Sequence, residues 1–107
     1  MEGLELICFE LISYTGSARS YFIEAIQAAK KQDFEKATEY FAEGEKQHAE
    51  GHHTHAKLIQ QEAAGQSLGV NLLLIHAEDQ LMSCETIKIV ADEMIQMYKL
   101  IHQGRLE

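Results

Sequence analysis

The chain has 107 residues, which is the size of one domain and too short for two ordinary ones. Its 17 acidic residues outnumber its 9 lysines and arginines, so the net charge is −8 with the histidines neutral. That balance argues against binding to nucleic acid or to anionic lipid, because both need a basic protein face. Hydrophobic residues make up 46% of the chain, which is enough for a core. We therefore predict one folded domain over residues 1–107.

The cysteines and the N-terminus predict a protein of the cytoplasm. Cys8 and Cys84 lie 76 residues apart, each within an apolar helical pattern, and are interpreted as reduced core thiols rather than a disulfide framework. The first residues, MEGLELICFELISY, are apolar, but Glu2, Glu5 and Glu10 interrupt them and no basic residue precedes them. This pattern fits neither a signal peptide nor a membrane span, so no membrane insertion is expected.

The hydrophobic pattern predicts three helices. The chain contains no proline, and apolar or small side chains recur every three or four residues, as on one face of a helix. The pattern breaks at Asp33, a favourable N-cap, and at residues 64–69, which include two glycines. Gly104 is placed to end the last helix. The predicted helices cover about residues 4–31, 34–64 and 69–103.

These elements predict an all-α fold. No run alternates with period two for long enough to form a strand, and the short breaks favour an up-down-up antiparallel three-helix bundle. A helix of some 35 residues is about 50 Å long, so the bundle is a thin rod. One chain covers the apolar stripes of such a rod poorly, and we therefore expect a homo-oligomer.

A polar stripe crosses the apolar third helix. His76, Asp79, Gln80 and Ser83 are spaced at i, i+3, i+4 and i+7, so they share one face, whereas Glu78 points away from His76. An imidazole, a carboxylate and an amide among leucines are unfavourable unless they find partners. The stripe fits either a reactive site or an ordinary solvated or register-fixing polar face.

A histidine cluster marks the second helix. His48 and His52 lie at i and i+4 on one face, with Glu45 and His55 close to that face. This spacing suits Zn²⁺ or Ni²⁺, and it is equally typical of a solvated, titratable patch. The sequence contains no glycine-rich phosphate loop, CxxC or HExxH motif. The residues alone thus leave three candidates: a helical oligomer with a reactive histidine, a metal-binding bundle, or a plain interaction module.

The stretch HAEDQLM, residues 76–82, resembles the active-site segment HAQDHLM of the lactose, cellobiose and diacetylchitobiose enzyme IIA components of the bacterial phosphotransferase system. Three further matches occur in the family's order. GSARS at residues 16–20 resembles the family's G-x-A-R-S. Gln32-Asp33-Phe34 with Ala37 resembles G-D-F-x-x-A, and His52 with Lys57-Leu58-Ile59 resembles A-H-x-x-Q-T-K-L-I. The matches span residues 14–82, and the length and helix pattern fit the remainder.

The resemblance implies a trimer of three-helix bundles, a nine-helix assembly. It implies that His76 is phosphorylated by the histidine-containing carrier protein and passes the phosphoryl group to a cysteine of enzyme IIB. Asp79 matches an aspartate that meets its two symmetry mates at a divalent cation, for which we expect Mg²⁺. The sugar is expected to bind the membrane component, so these motifs do not specify which sugar is transported.

The sequence departs from the family pattern near the predicted nucleophile. Glu78 replaces a glutamine and Gln80 replaces the second histidine. Gln80 can still donate an amide N–H to a phosphoryl oxygen but cannot become a cation, while Glu78 adds negative charge near His76. His52 is predicted to line the same cleft with a smaller effect. The remaining alternatives are a non-catalytic interaction or regulatory module and a metal-binding bundle that uses His48, His52 and His55.

Overall fold

A computed structural model describes residues 3–105 and contains three long helices in this range. They are α1, Gly3–Lys30; α2, Phe34–Ala63; and α3, Leu72–His102. The described residues include no strand, so the all-α prediction is confirmed. Within the same residues, none of the helices combines the length and apolar character that crossing a bilayer requires.

The starts of α2 and α3 are set by capping side chains. The Asp33 carboxylate accepts a hydrogen bond from a first-turn backbone N–H of α2, as predicted. For α3 the predicted start at residue 69 is wrong by three residues. Gly69 has a positive φ of 70°, which a helix does not allow, and Asn71 is the N-cap because its Oδ1 accepts a hydrogen bond from the Leu74 N–H at 2.8 Å.

All three helices end through a residue in the left-handed conformation. The φ angles of Gln32, Gly65 and Gly104 are 68°, 85° and 70°. After α3, the N–H groups of Gly104 and Arg105 donate to carbonyls of the last turn at 3.0 and 2.9 Å, a Schellman arrangement. Gly104 therefore ends the last helix as predicted, and the predicted ends lie within one residue of the observed ones.

The core clusters show the direction of each helix. At one end of the rod, Cys8 near the start of α1 packs with Leu58 near the end of α2 and Ala77 near the start of α3. At the opposite end, the corresponding cluster contains Ala28, Ala37 and Ile95. Helix α2 therefore runs antiparallel to α1, and α3 runs parallel to α1, which is the predicted up-down-up order.

Helix α1 is the central element of the rod. It packs extensively against both other helices, whereas α2 and α3 contact each other much less. The molecule measures 56 × 23 × 21 Å, so it has the thin shape expected from the helix lengths. The position of α1 leaves much of α3 uncovered, and several large apolar side chains of α3 are exposed.

Both cysteines are free and buried, as predicted. Burial raises the pKa of Cys84 to about 11, and burial together with the charge of Glu78 raises the pKa of Cys8. Both thiols therefore stay protonated at neutral pH and act as small apolar core groups.

Candidate active site

The predicted nucleophile lies on the surface of α3, in the second turn of that helix. His76 and Asp79 are exposed, whereas Gln80 and Ser83 are half-buried on the same helix face. Among residues 3–105, no side-chain hydrogen bond or ion pair involves the His76 ring. The imidazole is therefore accessible to another protein without breaking an existing contact.

Gln80, one helical turn after His76, is held by a cation from α1. The Nη1 of Arg19 donates a hydrogen bond to Gln80 Oε1 at 3.2 Å. Because a guanidinium only donates, this contact fixes the oxygen end of the Gln80 amide toward Arg19 and turns its NH₂ group away from it. The Arg19 Nε is buried and has no hydrogen-bond partner among the described residues. Arg19 thus places a positive charge beside Gln80, the residue one turn after His76.

Glu78, which is expected to add negative charge near His76, contacts α2. Its Oε1 lies 2.7 Å from His55 Nε2, and the His55 side chain is only 18% exposed. Both residues replace a glutamine of the family pattern, so two departures from that pattern contact each other. The Glu78 carboxylate thus contacts a residue of α2 that is distant in sequence, and the expected effect of its negative charge on His76 stays a prediction.

The histidine cluster of α2 is rearranged relative to the prediction. His48 and His52 are adjacent, with ring centroids 4.6 Å apart. His55, which pairs with Glu78, is not their third member, so the predicted set His48, His52 and His55 is wrong. The third residue is Glu85 of α3, whose Oε1 lies 2.9 Å from His52 Nε2.

The structure does not bring His52 to His76 within one chain. Its partner Glu85 is nine residues beyond His76, and those nine residues of helix span about 13 Å. A contact between His52 and a phosphoryl group on His76 would therefore require a neighbouring subunit. The role predicted for His52, lining the cleft around His76, stays a prediction.

Sequence reasoning missed two residues of these clusters, Arg19 and Glu85. Arg19 lies within the GSARS motif, so the signal was present, but only the packing of α1 on α3 shows that it meets Gln80. Glu85 lies in a helix with many polar residues and has no local signal. It becomes a candidate ligand only because α2 and α3 lie side by side at this point.

Comparison with known proteins agrees with this geometry. A family model described as "PTS system, Lactose/Cellobiose specific IIA subunit" matches residues 6–99. The chain belongs to this family. The lichenan-specific phosphotransferase enzyme IIA component of Bacillus subtilis (strain 168) is 38% identical over 97% of the chain and 94% of the relative. The lactose-specific EIIA component of Staphylococcus epidermidis is 34% identical over 92% of the chain and 94% of the relative.

Solved structures of enzyme IIA components have the same fold. The PTS cellobiose-specific enzyme IIA from Bacillus anthracis superposes with a TM-score of 0.93 at 40% identity, over 96% of this chain and 94% of that one. The IIA(chitobiose)–HPr complex of the Escherichia coli phosphotransferase system superposes with a TM-score of 0.82 at 29% identity, over 95% of this chain and 99% of that one. The chain is thus an enzyme IIA component, a phosphotransferase component of a sugar transport system.

Proposed function

We propose that this enzyme IIA component carries the phosphoryl group on His76, between the histidine-containing carrier protein and a cysteine of enzyme IIB. The observation that carries the proposal is the exposed His76 ring at the first position of HAEDQLM, with no competing contact within residues 3–105. The similar chitobiose enzyme IIA forms a complex with HPr, which supports the carrier as donor. The acceptor follows from the family resemblance.

The transfer steps suit an accessible imidazole. A ring nitrogen of neutral His76 attacks the phosphorus of the phosphorylated carrier histidine, a new N–P bond forms, and the carrier's own N–P bond breaks. In the next step a thiolate of enzyme IIB attacks the same phosphorus, and the His76 nitrogen leaves with its electron pair. Both bonds to histidine have similar energy, so the protein needs chiefly to position the groups and stabilise charge.

Gln80 and Arg19 supply that charge stabilisation in the proposal. The Gln80 amide, turned by Arg19, has its NH₂ group available for a phosphoryl oxygen. Arg19 acts as a positioning residue for Gln80, and its positive charge beside Gln80 favours a phosphoryl group that contacts this amide. Together they take the place of the family's second histidine at residue 80. The contact with His55 directs the Glu78 carboxylate toward α2.

The proposal includes a trimer whose axis is lined by α3. Leu72, Ile75, Met82 and Ile89 are 3, 7 and 7 residues apart, and with Asp79 and Thr86 between them they follow the alternating three- and four-residue spacing of a coiled-coil seam. All are exposed in the single chain, Ile75 to 52%, Met82 to 65% and Ile89 to 66%. Association of three α3 helices along this seam buries these side chains. Asp79 occupies a position within the same seam.

Asp79 is proposed to hold a Mg²⁺ ion together with the Asp79 residues of the two other subunits. Its carboxylate is exposed, and no hydrogen bond or ion pair within residues 3–105 engages it. Carboxylate oxygens are the ligands that Mg²⁺ prefers. The cation would neutralise three carboxylates that otherwise repel one another, and it takes no part in phosphoryl transfer.

The proposed location is the cytoplasm, which fits two free, protonated core thiols. The competing candidate is a non-catalytic interaction module that kept the fold. The substitutions at residues 78 and 80 favoured that candidate in the sequence, and the contacts of Glu78 with His55 and of Gln80 with Arg19 weaken it.

The test is phosphorylation with phosphoenolpyruvate, enzyme I and the carrier protein, followed by intact mass spectrometry. The wild-type chain should gain one phosphoryl group that is stable in base and labile in acid, as a phosphoramidate is. His76→Ala should abolish labelling, whereas His53→Ala, a change of an exposed histidine on α2, should leave it intact. Arg19→Gln should slow transfer about tenfold, or about 1.4 kcal/mol of barrier.

Two further variants test the surroundings of His76, and labelling of the wild-type chain separates the candidate functions. Gln80→His should speed transfer if the second imidazole steadies the phosphoryl oxygens, and His52→Ala should slow transfer without abolishing it. A wild-type chain that accepts no phosphoryl group from several carrier proteins is the result expected of the interaction module. Labelling that persists in His76→Ala would contradict the assignment of the nucleophile.

A further inference from the structure

A second polar site lies between α2 and α3, away from His76. One potential ligand atom each from His48, His52 and Glu85 lies within 4.8 Å of the other two. His52 and Glu85 are in contact at 2.9 Å, and the two imidazole rings lie nearly perpendicular at 68°. Phosphoryl transfer as proposed above uses neither His48 nor Glu85, so that proposal leaves this cluster unexplained.

His48 provides the main evidence that this cluster binds a ligand. The residue is only 7% exposed, and its Nε2 has no hydrogen-bond partner among the described residues. The His48 ring has an apolar neighbour on one side, since the centroid of the Phe22 ring lies 6.5 Å from the centroid of the imidazole. A buried ring nitrogen without a partner is unfavourable, and proteins normally satisfy it with a hydrogen bond, a water or a metal ion.

The charge state of His48 suits a metal ligand. Burial lowers its pKa, the neighbouring His52 and Lys88 lower it further, and Glu85 opposes this shift. A neutral ring offers the lone pair that metal binding requires. A protonated ring would instead repel a cation.

We propose that His48, His52 and Glu85 form a binding site for a divalent transition metal ion, with Zn²⁺ as the ion that fits the ligands. Two imidazoles and one carboxylate are an established Zn²⁺ ligand set, completed by water at the fourth position. The histidines are at i and i+4 on one helix face, so both can reach one ion. Their nitrogen atoms distinguish this site from an all-oxygen Mg²⁺ site.

The distances allow an ion with small side-chain adjustments. Tetrahedral Zn²⁺ with bonds of about 2.0–2.1 Å places its ligand atoms roughly 3.3 Å apart. The candidate ligand atoms here all lie within 4.8 Å of one another, and those of His52 and Glu85 are 2.9 Å apart. The side chains of His52 and Glu85 are half-exposed, so they can rotate to bring their ligand atoms to this spacing. His48 is fixed by its burial.

The surrounding charges also permit a cation. Lys88 on α3 is a positive group close enough to act on His48, and its Nζ lies 3.5 Å from Glu45 Oε2 of α2. Glu45 and Glu85 together outweigh Lys88 by one negative charge. A metal ion at this point would join α2 to α3, the two helices that contact each other least.

The experiment is Zn²⁺ titration of the metal-free, full-length protein by isothermal calorimetry. We expect one Zn²⁺ per chain and a dissociation constant in the micromolar range or below. Glu85→Gln and His52→Ala should each weaken binding by about tenfold or more, equivalent to about 1.4 kcal/mol. His53→Ala should not change it, because His53 lies outside the cluster. Circular dichroism checks that each variant is helical.

Stoichiometry separates this site from the proposed axial ion. A site at Asp79 binds one ion per three chains and disappears in Asp79→Leu, whereas the proposed site binds one ion per chain and persists in that variant. Co²⁺ substitution should give the intense visible absorption of a four-coordinate ion. The proposal is overturned if wild type binds no Zn²⁺ at micromolar concentrations, if binding depends on Asp79 alone, or if Glu85→Gln and His52→Ala bind like wild type.

Discussion

At the residue scale, the departures from the family pattern are accommodated by specific neighbours. Glu78 pairs with His55, and Gln80 accepts a hydrogen bond from Arg19. Gln32 is different, because it has a φ of 68° at the end of α1 and gains no such contact. It occupies the position where the family pattern has glycine, and the left-handed conformation explains that preference.

Replacing Gln32 with glycine should therefore stabilise the protein. A residue with a Cβ pays about 1–2 kcal/mol in the left-handed region, part of which is offset by the greater freedom of glycine in the unfolded chain. We expect Gln32→Gly to raise the free energy of unfolding by about 1 kcal/mol, measured by urea denaturation at fixed protein concentration. Gln27→Gly, on the exposed side of α1, is the matched control and should lower it by about 1 kcal/mol. An equal decrease in the free energy of unfolding of both variants would contradict the strain at Gln32.

At the element scale, the packing of α1 on α2 depends on one close approach. Gly44 of α2 faces the fully buried Phe22 of α1, and a Cβ built on Gly44 would lie 2.6 Å from Phe22 Cε1. The Phe22 ring cannot easily retreat, because Phe41 packs against it with ring centroids 5.1 Å apart. The absence of a side chain at residue 44 is thus a requirement of helix packing.

Gly44→Ala should destabilise the bundle although alanine is the better helix former. Overpacking of this kind costs about 1–3 kcal/mol, so the midpoint of thermal unfolding should fall. Gly51→Ala on the same helix is the control, since its Cβ would meet Thr15 Cγ2 at an ordinary 3.4 Å. That variant should be as stable as wild type or slightly more stable. If both variants gain stability, Phe22 is more mobile than its burial indicates.

At the scale of the whole molecule, the single rod leaves the α3 seam exposed. The seam is apolar except at a few positions, and Asp79 is one of them. A polar residue within such a seam fixes register and oligomeric state at some expense of stability. This combination predicts a trimer whose stability is limited by three carboxylates brought close together.

Asp79→Leu should therefore keep or strengthen the trimer, because it removes three like charges and adds apolar contact. Sedimentation equilibrium of wild type and variant should give three times the chain mass of 12.1 kDa, with tighter association in the variant. Met82→Lys, which places charge on the same seam, should dissociate the assembly. Monomeric Asp79→Leu, or a wild-type chain that is monomeric at micromolar concentration, would contradict the proposed axis.

The sequence by itself determined the helices, their order and the candidate nucleophile. These features depend on local information: apolar spacing predicts helices, Asp33 and Gly104 mark their limits, and a short motif carries His76. The start of α3 was misplaced because the two glycines of residues 64–69 do not reveal which later residue caps the helix. Asn71 does so through its own side chain.

Only the tertiary structure decided which side chains meet across helices. Arg19 donates a hydrogen bond to Gln80, which is 61 residues away in the sequence. Glu78 contacts His55. Glu85, rather than His55, lies beside His48 and His52. Periodicity assigns a residue to a face of its own helix, but the rotation and offset of neighbouring helices depend on how the whole core packs. The contacts between helices are therefore set by the packing of the whole bundle. That packing determined which residues surround His76 and which form the cluster of His48, His52 and Glu85.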